Sequence, residues 1–141
     1  MKKLILLLFI PLVFGCGNDS KKEEEKKIST TKEVIEYYDS GAVKIKGNYD
    51  ADGKMQGEHF SYYESGAVKE KAFYVDGLQQ GEAIWYYESG DVFSKANFVD
   101  GLEQGEVIEY YVTGGVRIKG NFVDGKAQGE VIHYDLNGAV L

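Results

Sequence analysis

Three residue types in this 141-residue chain could carry chemistry: a row of glutamates at Glu58, Glu82, Glu106 and Glu130, two histidines at His59 and His133, and one cysteine, Cys16. Carboxylates two strands apart in a sheet lie ~9.6 Å from each other, close to the separation used by inverting glycosidases. A catalytic pair needs unlike environments to split its pKa values, and four glutamates repeating every 24 residues share one environment. The row therefore reads as a repeated structural position. His59 and His133 stand 74 residues apart with no second cysteine to complete a ligand set. They read as solvated strand residues, and no metal or cofactor is expected. Ser40, Ser65 and Ser89 fall in turn-like segments without a histidine and an acid recurring beside them. No catalytic residue is assigned, and the chain reads as a non-enzyme.

Cys16 has a different context. Lys2-Lys3, an apolar run over residues 4–14 and a small residue, Gly15, are the three parts of a secretion signal. The run is too short for a spanning helix, which needs ~20 residues. Its end, Leu12-Val13-Phe14-Gly15-Cys16, resembles the bacterial lipoprotein box. That resemblance implies removal of residues 1–15 and acylation of the Cys16 thiol at the new N-terminus, with the membrane contacted through this anchor only. At ~0.8 kcal/mol per buried CH₂, several acyl chains hold a protein firmly. Gly17 stands where an aspartate would favour inner-membrane retention, so the resemblance points to the outer membrane, facing either the periplasm or the exterior. Residues 16–32 contain charge blocks and no apolar periodicity, and read as a tether.

Without the leader the chain carries 14 basic and 23 acidic residues, a net charge of −9 that opposes nucleic acid binding. The one proline, Pro11, lies in the leader, whereas 18 glycines forecast many tight turns.

From residue 33 onward the chain restates one pattern. Tyrosine pairs begin at Tyr37, Tyr62, Tyr86 and Tyr110, and the step recurs at Tyr134, so the period is 25 and then 24 residues. So short a period means a stacked array. Within a unit, residues 68–74 alternate as a strand, with Val68, Glu70, Ala72 and Tyr74 on a packed face and Lys69, Lys71 and Phe73 on a wet one. An Asp-Gly turn follows, with a second glycine in support, as at Asp76-Gly77 and Gly81. Residues 82–87 form the returning strand, and Glu88-Ser89-Gly90 suits a hairpin turn with a glycine bulge. With residues 34–38 as an opening strand, the count is nine strands plus a stub over residues 139–141, a meander ~43 Å long. The fold class is all-β: an elongated, twisted antiparallel meander of tandem hairpin repeats over residues 33–141, expected to be a monomer.

The spacing Y-Y-x-x-G-x-V-x-x-K-x-x-[FY]-x-D-G-x-x-x-G-E over residues 34–141 resembles the variant form of the MORN repeat found in bacterial proteins grouped as YwqK-like antitoxins. The resemblance implies a non-catalytic binding scaffold. Its partner would be a protein, a toxin or an envelope component. The alternative is a cell-wall or glycan-binding module, since tyrosine-rich hairpin repeats also stack sugars.

A partner surface should lie where the units disagree. Phe73 replaces the asparagine of Asn48, Asn97 and Asn121; Phe93 replaces Lys44, Lys69 and Arg117; Trp85 replaces Ser61, Glu109 and His133. Pairing Tyr74 with Glu82 and Tyr86 with Val92 would set Phe73 beside Ala83 and Phe93 beside Trp85 on the wet face. Tyr87 and Lys71 would complete a partner-binding patch.

Overall fold

The structure, a computed structural model, describes residues 30–141. The leader, Cys16 and the tether up to residue 29 lie outside the described residues. The rest folds as one open antiparallel sheet whose strands follow chain order. These are β1 (Lys32–Tyr37), β2 (Val43–Tyr49), β3 (Met55–Tyr62), β4 (Val68–Val75), β5 (Leu78–Gln79), β6 (Gly81–Tyr86), β7 (Val92–Val99), β8 (Leu102–Glu103), β9 (Gly105–Tyr110), β10 (Val116–Val123), β11 (Lys126–Ala127) and β12 (Ile132–His133). The nine expected strands are present, the last shortened to β12. β5, β8 and β11 are additional short pieces made where each returning strand is interrupted. The expected stub at residues 139–141 contributes only a bridge between Tyr134 and Val140.

Two kinds of bulge interrupt the meander once per unit. The first follows the Asp-Gly turn. Asp76, Asp100 and Asp124 adopt φ near +50°, and the glycine after each is also left-handed, which is the tight two-residue hairpin turn. Gly81 and Gly105, at φ +71° and +83°, lie beyond the turn rather than in it. Each sits at a strand start, Gly81 paired with Phe98 and Gly105 with Phe122, with open space around it, so the left-handed backbone of the bulge rather than crowding favours glycine there. The second bulge leaves Lys44, Lys69, Phe93 and Arg117 without a cross-strand partner, because Tyr37, Tyr62, Tyr86 and Tyr110 pair with the valines before them.

These bulges decide the faces. β4 meets β6 with Glu70 opposite Trp85 and Lys71 opposite Ile84, one residue away from the expected register. A one-residue change moves every side chain of the strand to the other face. Ala83 therefore lies with Ala72 and Ala96 under Tyr74, Trp85, Phe98 and Val107, and is fully buried. The valines move as well: Val68 lies across the bulge from Ala72 and lines a groove with Phe60, Lys71 and Tyr86 on the opposite face.

The sheet is a single layer, so neighbouring units are also tied at their ends. The second tyrosine of each pair donates its hydroxyl to a carbonyl of the next unit: Tyr38 to Tyr62, Tyr63 to Tyr86, Tyr87 to Tyr110 and Tyr111 to Tyr134, at 2.6–2.7 Å. At the other end Gln56, Gln80 and Gln104 donate to Asp76, Asp100 and Asp124 at 2.7, 2.6 and 2.5 Å. Each such bond contributes about 1 kcal/mol, and each spans two units, so they make the array cooperative.

Candidate partner-binding surface

Two members of the glutamate row, Glu58 and Glu106, form ion pairs, and Glu33 near the start of the sheet forms a third of the same kind. Glu33, Glu58 and Glu106 meet Lys46, Lys71 and Lys119 at 3.1, 3.0 and 2.7 Å, all with the side chains substantially exposed. On this face lysines and apolar residues alternate across successive strands, Lys46 opposite Phe60, Phe60 opposite Lys71, Lys71 opposite Ile84 and Ile84 opposite Lys95. Lys71 Nζ lies over the Phe60 ring, 5.6 Å from its centre.

His59 is not the solvated residue expected from sequence. It is half-buried opposite Gly47, its ring lying edge-on between Tyr49 and Tyr74, and its Nε2 is 3.1 Å from the Tyr49 hydroxyl. Burial lowers its pKa, partly offset by Glu36. His133 is exposed. Among the described residues no group of three acidic, histidine or cysteine side chains could hold a metal ion, and no helix is long and apolar enough to cross a membrane.

The five patch residues do not share a face. Lys71 and Phe73 stand on the lysine-bearing face, where Phe73 is opposite Glu58 and 44% exposed. Trp85 points the other way and meets Phe98 edge-on at 6.2 Å. Beside it burial pushes the Glu70 carboxyl above its ordinary range, opposed by Lys69, Trp85 and Ser61. Phe93 is the bulge residue. Its equivalent Arg117 pairs with Glu109, which occupies the Trp85 position, so the bulge turns this side chain toward the Trp85 face. Phe93 packs edge-on against Tyr87 at 5.2 Å, while the Tyr87 hydroxyl is engaged with Tyr110. The expected neighbours, Phe73 beside Ala83, are separated by the register change.

Phe93 also has analogues within the chain. Lys44 and Lys69 place their Nζ atoms 5.8 Å from the ring centres of Tyr38 and Tyr63, the equivalents of Tyr87. Replacing Phe93 by lysine exchanges an aromatic contact for a cation–π contact of similar strength, each about 1 kcal/mol. Thermal denaturation of Phe93→Lys is expected to follow the wild type closely, and a large fall in Tm would show that the ring fills space that a lysine cannot.

The structure also brings together residues that the pattern reading treated as turn. Val75 faces Leu78 and Val99 faces Leu102 across successive Asp-Gly turns, and Val123 holds the matching place in the last one. All are 43–48% exposed. The signal was present as Val-Asp-Gly-Leu at residues 75–78 and 99–102, apolar residues hugging a turn whose flanks are normally polar.

The MORN repeat variant family model matches residues 31–51, 55–76 and 79–100, so a MORN-repeat variant domain spans part of the chain. A search among curated proteins finds no match. Beyond residue 100 the geometry continues: Ile108 pairs with Lys95 and Lys119, and the bulge recurs at Arg117.

Proposed function

We propose that the MORN-repeat variant domain of this chain is a protein-binding scaffold held at the bacterial cell envelope by a lipid on Cys16, with its tether setting the distance from the membrane. The observation that carries the binding part is Phe73, a large aromatic 44% exposed on the open face of a single-layer sheet. Its position in other units is asparagine, which the repeat architecture therefore does not require to be aromatic. Lys71, on the same strand and face, is held over Phe60 and paired with Glu58, giving the ring a charged border. Trp85, Phe93 and Tyr87 support the opposite face by packing, so the partner surface narrows to Lys71 and Phe73. The partner is a protein of the envelope or a toxin that the scaffold sequesters in an immunity-like role.

Two measurements test the two halves separately. Intact-mass analysis of the native protein is expected to show loss of residues 1–15 plus lipid mass, and a Cys16→Ala form that still fractionates with outer membranes would refute the anchor. For binding, Phe73→Asn is expected to reduce capture of envelope proteins about tenfold, as for an interface anchor, with stability within about 0.5 kcal/mol of wild type. Unchanged capture would remove Phe73 from the surface.

A further inference from the structure

The apolar strip at the Asp-Gly turns lies outside the repeat's needs and outside the Lys71–Phe73 surface. Leu78 leans over the turn of the next unit, its Cδ2 3.6 Å from where a Cβ on Gly101 would stand, and Leu102 leans likewise over Gly125. The strip is therefore continuous from one turn to the next. Its ends are marked by charge: Lys54 leans over Gly77, at the place that Leu78 and Leu102 take in their units, and Lys126 takes the place of a leucine opposite Val123. Its length is thus two complete pairs, Val75 with Leu78 and Val99 with Leu102. Between the members of each pair stand Asp76 and Asp100, whose exposed carboxylates each accept one glutamine hydrogen bond and keep further lone pairs free.

We propose that this strip seats a short amphipathic helix of a protein partner, with two apolar anchors one heptad apart and a basic flank. Equivalent positions two strands apart recur at ~9.6 Å, while residues i and i+7 of a helix are ~10.5 Å apart, so successive anchors meet successive valine–leucine pairs. Sheet twist rotates successive strands by roughly 20–25°, which limits a straight helix to about two units, the extent that Lys54 and Lys126 also set. The acidic turn residues and the net charge of −9 outside the leader select lysine or arginine on the helix flank. This inference rests on the protein-binding reading and adds the kind of partner.

The test uses residues 16–141 and a synthetic helical peptide with leucines at i and i+7 and lysines along one flank. A second peptide has the same composition with the leucines moved to i and i+5, which places them on different sides of the helix. By fluorescence anisotropy the first is expected to bind at least about tenfold more tightly than the second, the factor that 1.4 kcal/mol of contact provides. Leu78→Asn with Leu102→Asn is expected to abolish the preference, and Asp76→Asn with Asp100→Asn to weaken binding and flatten its salt dependence. Equal binding of both peptides, or a preference that survives the leucine substitutions, overturns the proposal. A concentration-dependent dimer lost in the leucine variant would overturn it in favour of a second copy, and partition of the unlipidated protein onto vesicles of phosphatidylethanolamine and phosphatidylglycerol would do so in favour of a lipid surface. If the leucine variant captures envelope proteins normally while Phe73→Asn does not, the scaffold reading stands and the helix seat falls.

Discussion

Excising residues 86–109 is expected to leave a shorter sheet that still melts cooperatively, whereas excising residues 86–97 is expected to abolish the cooperative transition. The longer deletion joins Trp85 to Tyr110 and restores each inter-unit tie with an equivalent residue. Tyr63, which donates to the Tyr86 carbonyl, meets that of Tyr110; Gln80, which donates to Asp100, meets Asp124; Leu78, now over Gly101, lies over Gly125. β6 then pairs with β10 in the register that β9 uses, with Lys119 taking the place of Lys95 opposite Ile84. The shorter deletion joins Trp85 to Phe98, removes nearly all of β7 and leaves the next Asp-Gly turn where a strand must start. Because each unit contacts only its neighbours, loss of a whole unit lowers stability by one unit and one interface without breaking the rest. Circular dichroism melts of both proteins check this. Equal loss of structure in both would mean that the units do not behave as a linear array.

The second large effect is local. Gly47→Ala is expected to destabilise the sheet by about 1–3 kcal/mol, the usual cost of overpacking, and His59→Ala in the same chain is expected to recover most of it. A Cβ on Gly47 would stand 2.2 Å from His59 Cδ2 and 2.9 Å from Nε2. The ring has little freedom to withdraw, since Tyr49 and Tyr74 flank it and the Tyr49 hydroxyl meets its Nε2. The double substitution creates an alanine–alanine pair of the kind that Ala83 and Ala96 already form across β6 and β7. A thermodynamic cycle of the wild type, both single variants and the double variant measures the coupling, expected to exceed about 1 kcal/mol for residues in direct contact. Additive effects would mean that the histidine relaxes freely and the glycine is not needed for its fit. The same rule explains Gly120, where a Cβ would lie 3.1 Å from Phe122 and 3.2 Å from Val131.

The repeat, its strands and its turns could be read from residue order because they are local. Alternation over residues 68–74 makes a strand, and Asp76-Gly77 makes a two-residue turn, whatever surrounds them. The repeated placing of the glutamate row was also legible, since its spacing equals the repeat period, and its members Glu58 and Glu106 occupy equivalent places paired with Lys71 and Lys119. What tertiary structure alone decided was which residues meet. Gly81 beyond the turn and Phe93 near the start of β7 each introduce a bulge, and their combined effect on pairing depends on how two strands seat against each other. Since side chains change face with every residue, a register one step from the expected one buries Ala83, turns Trp85 onto Phe98 and leaves Lys71 and Phe73 on the other side. The apolar strip escaped for a related reason: along the chain Leu78 and Leu102 only follow an Asp-Gly turn, and it is stacking that lays each leucine over the following turn.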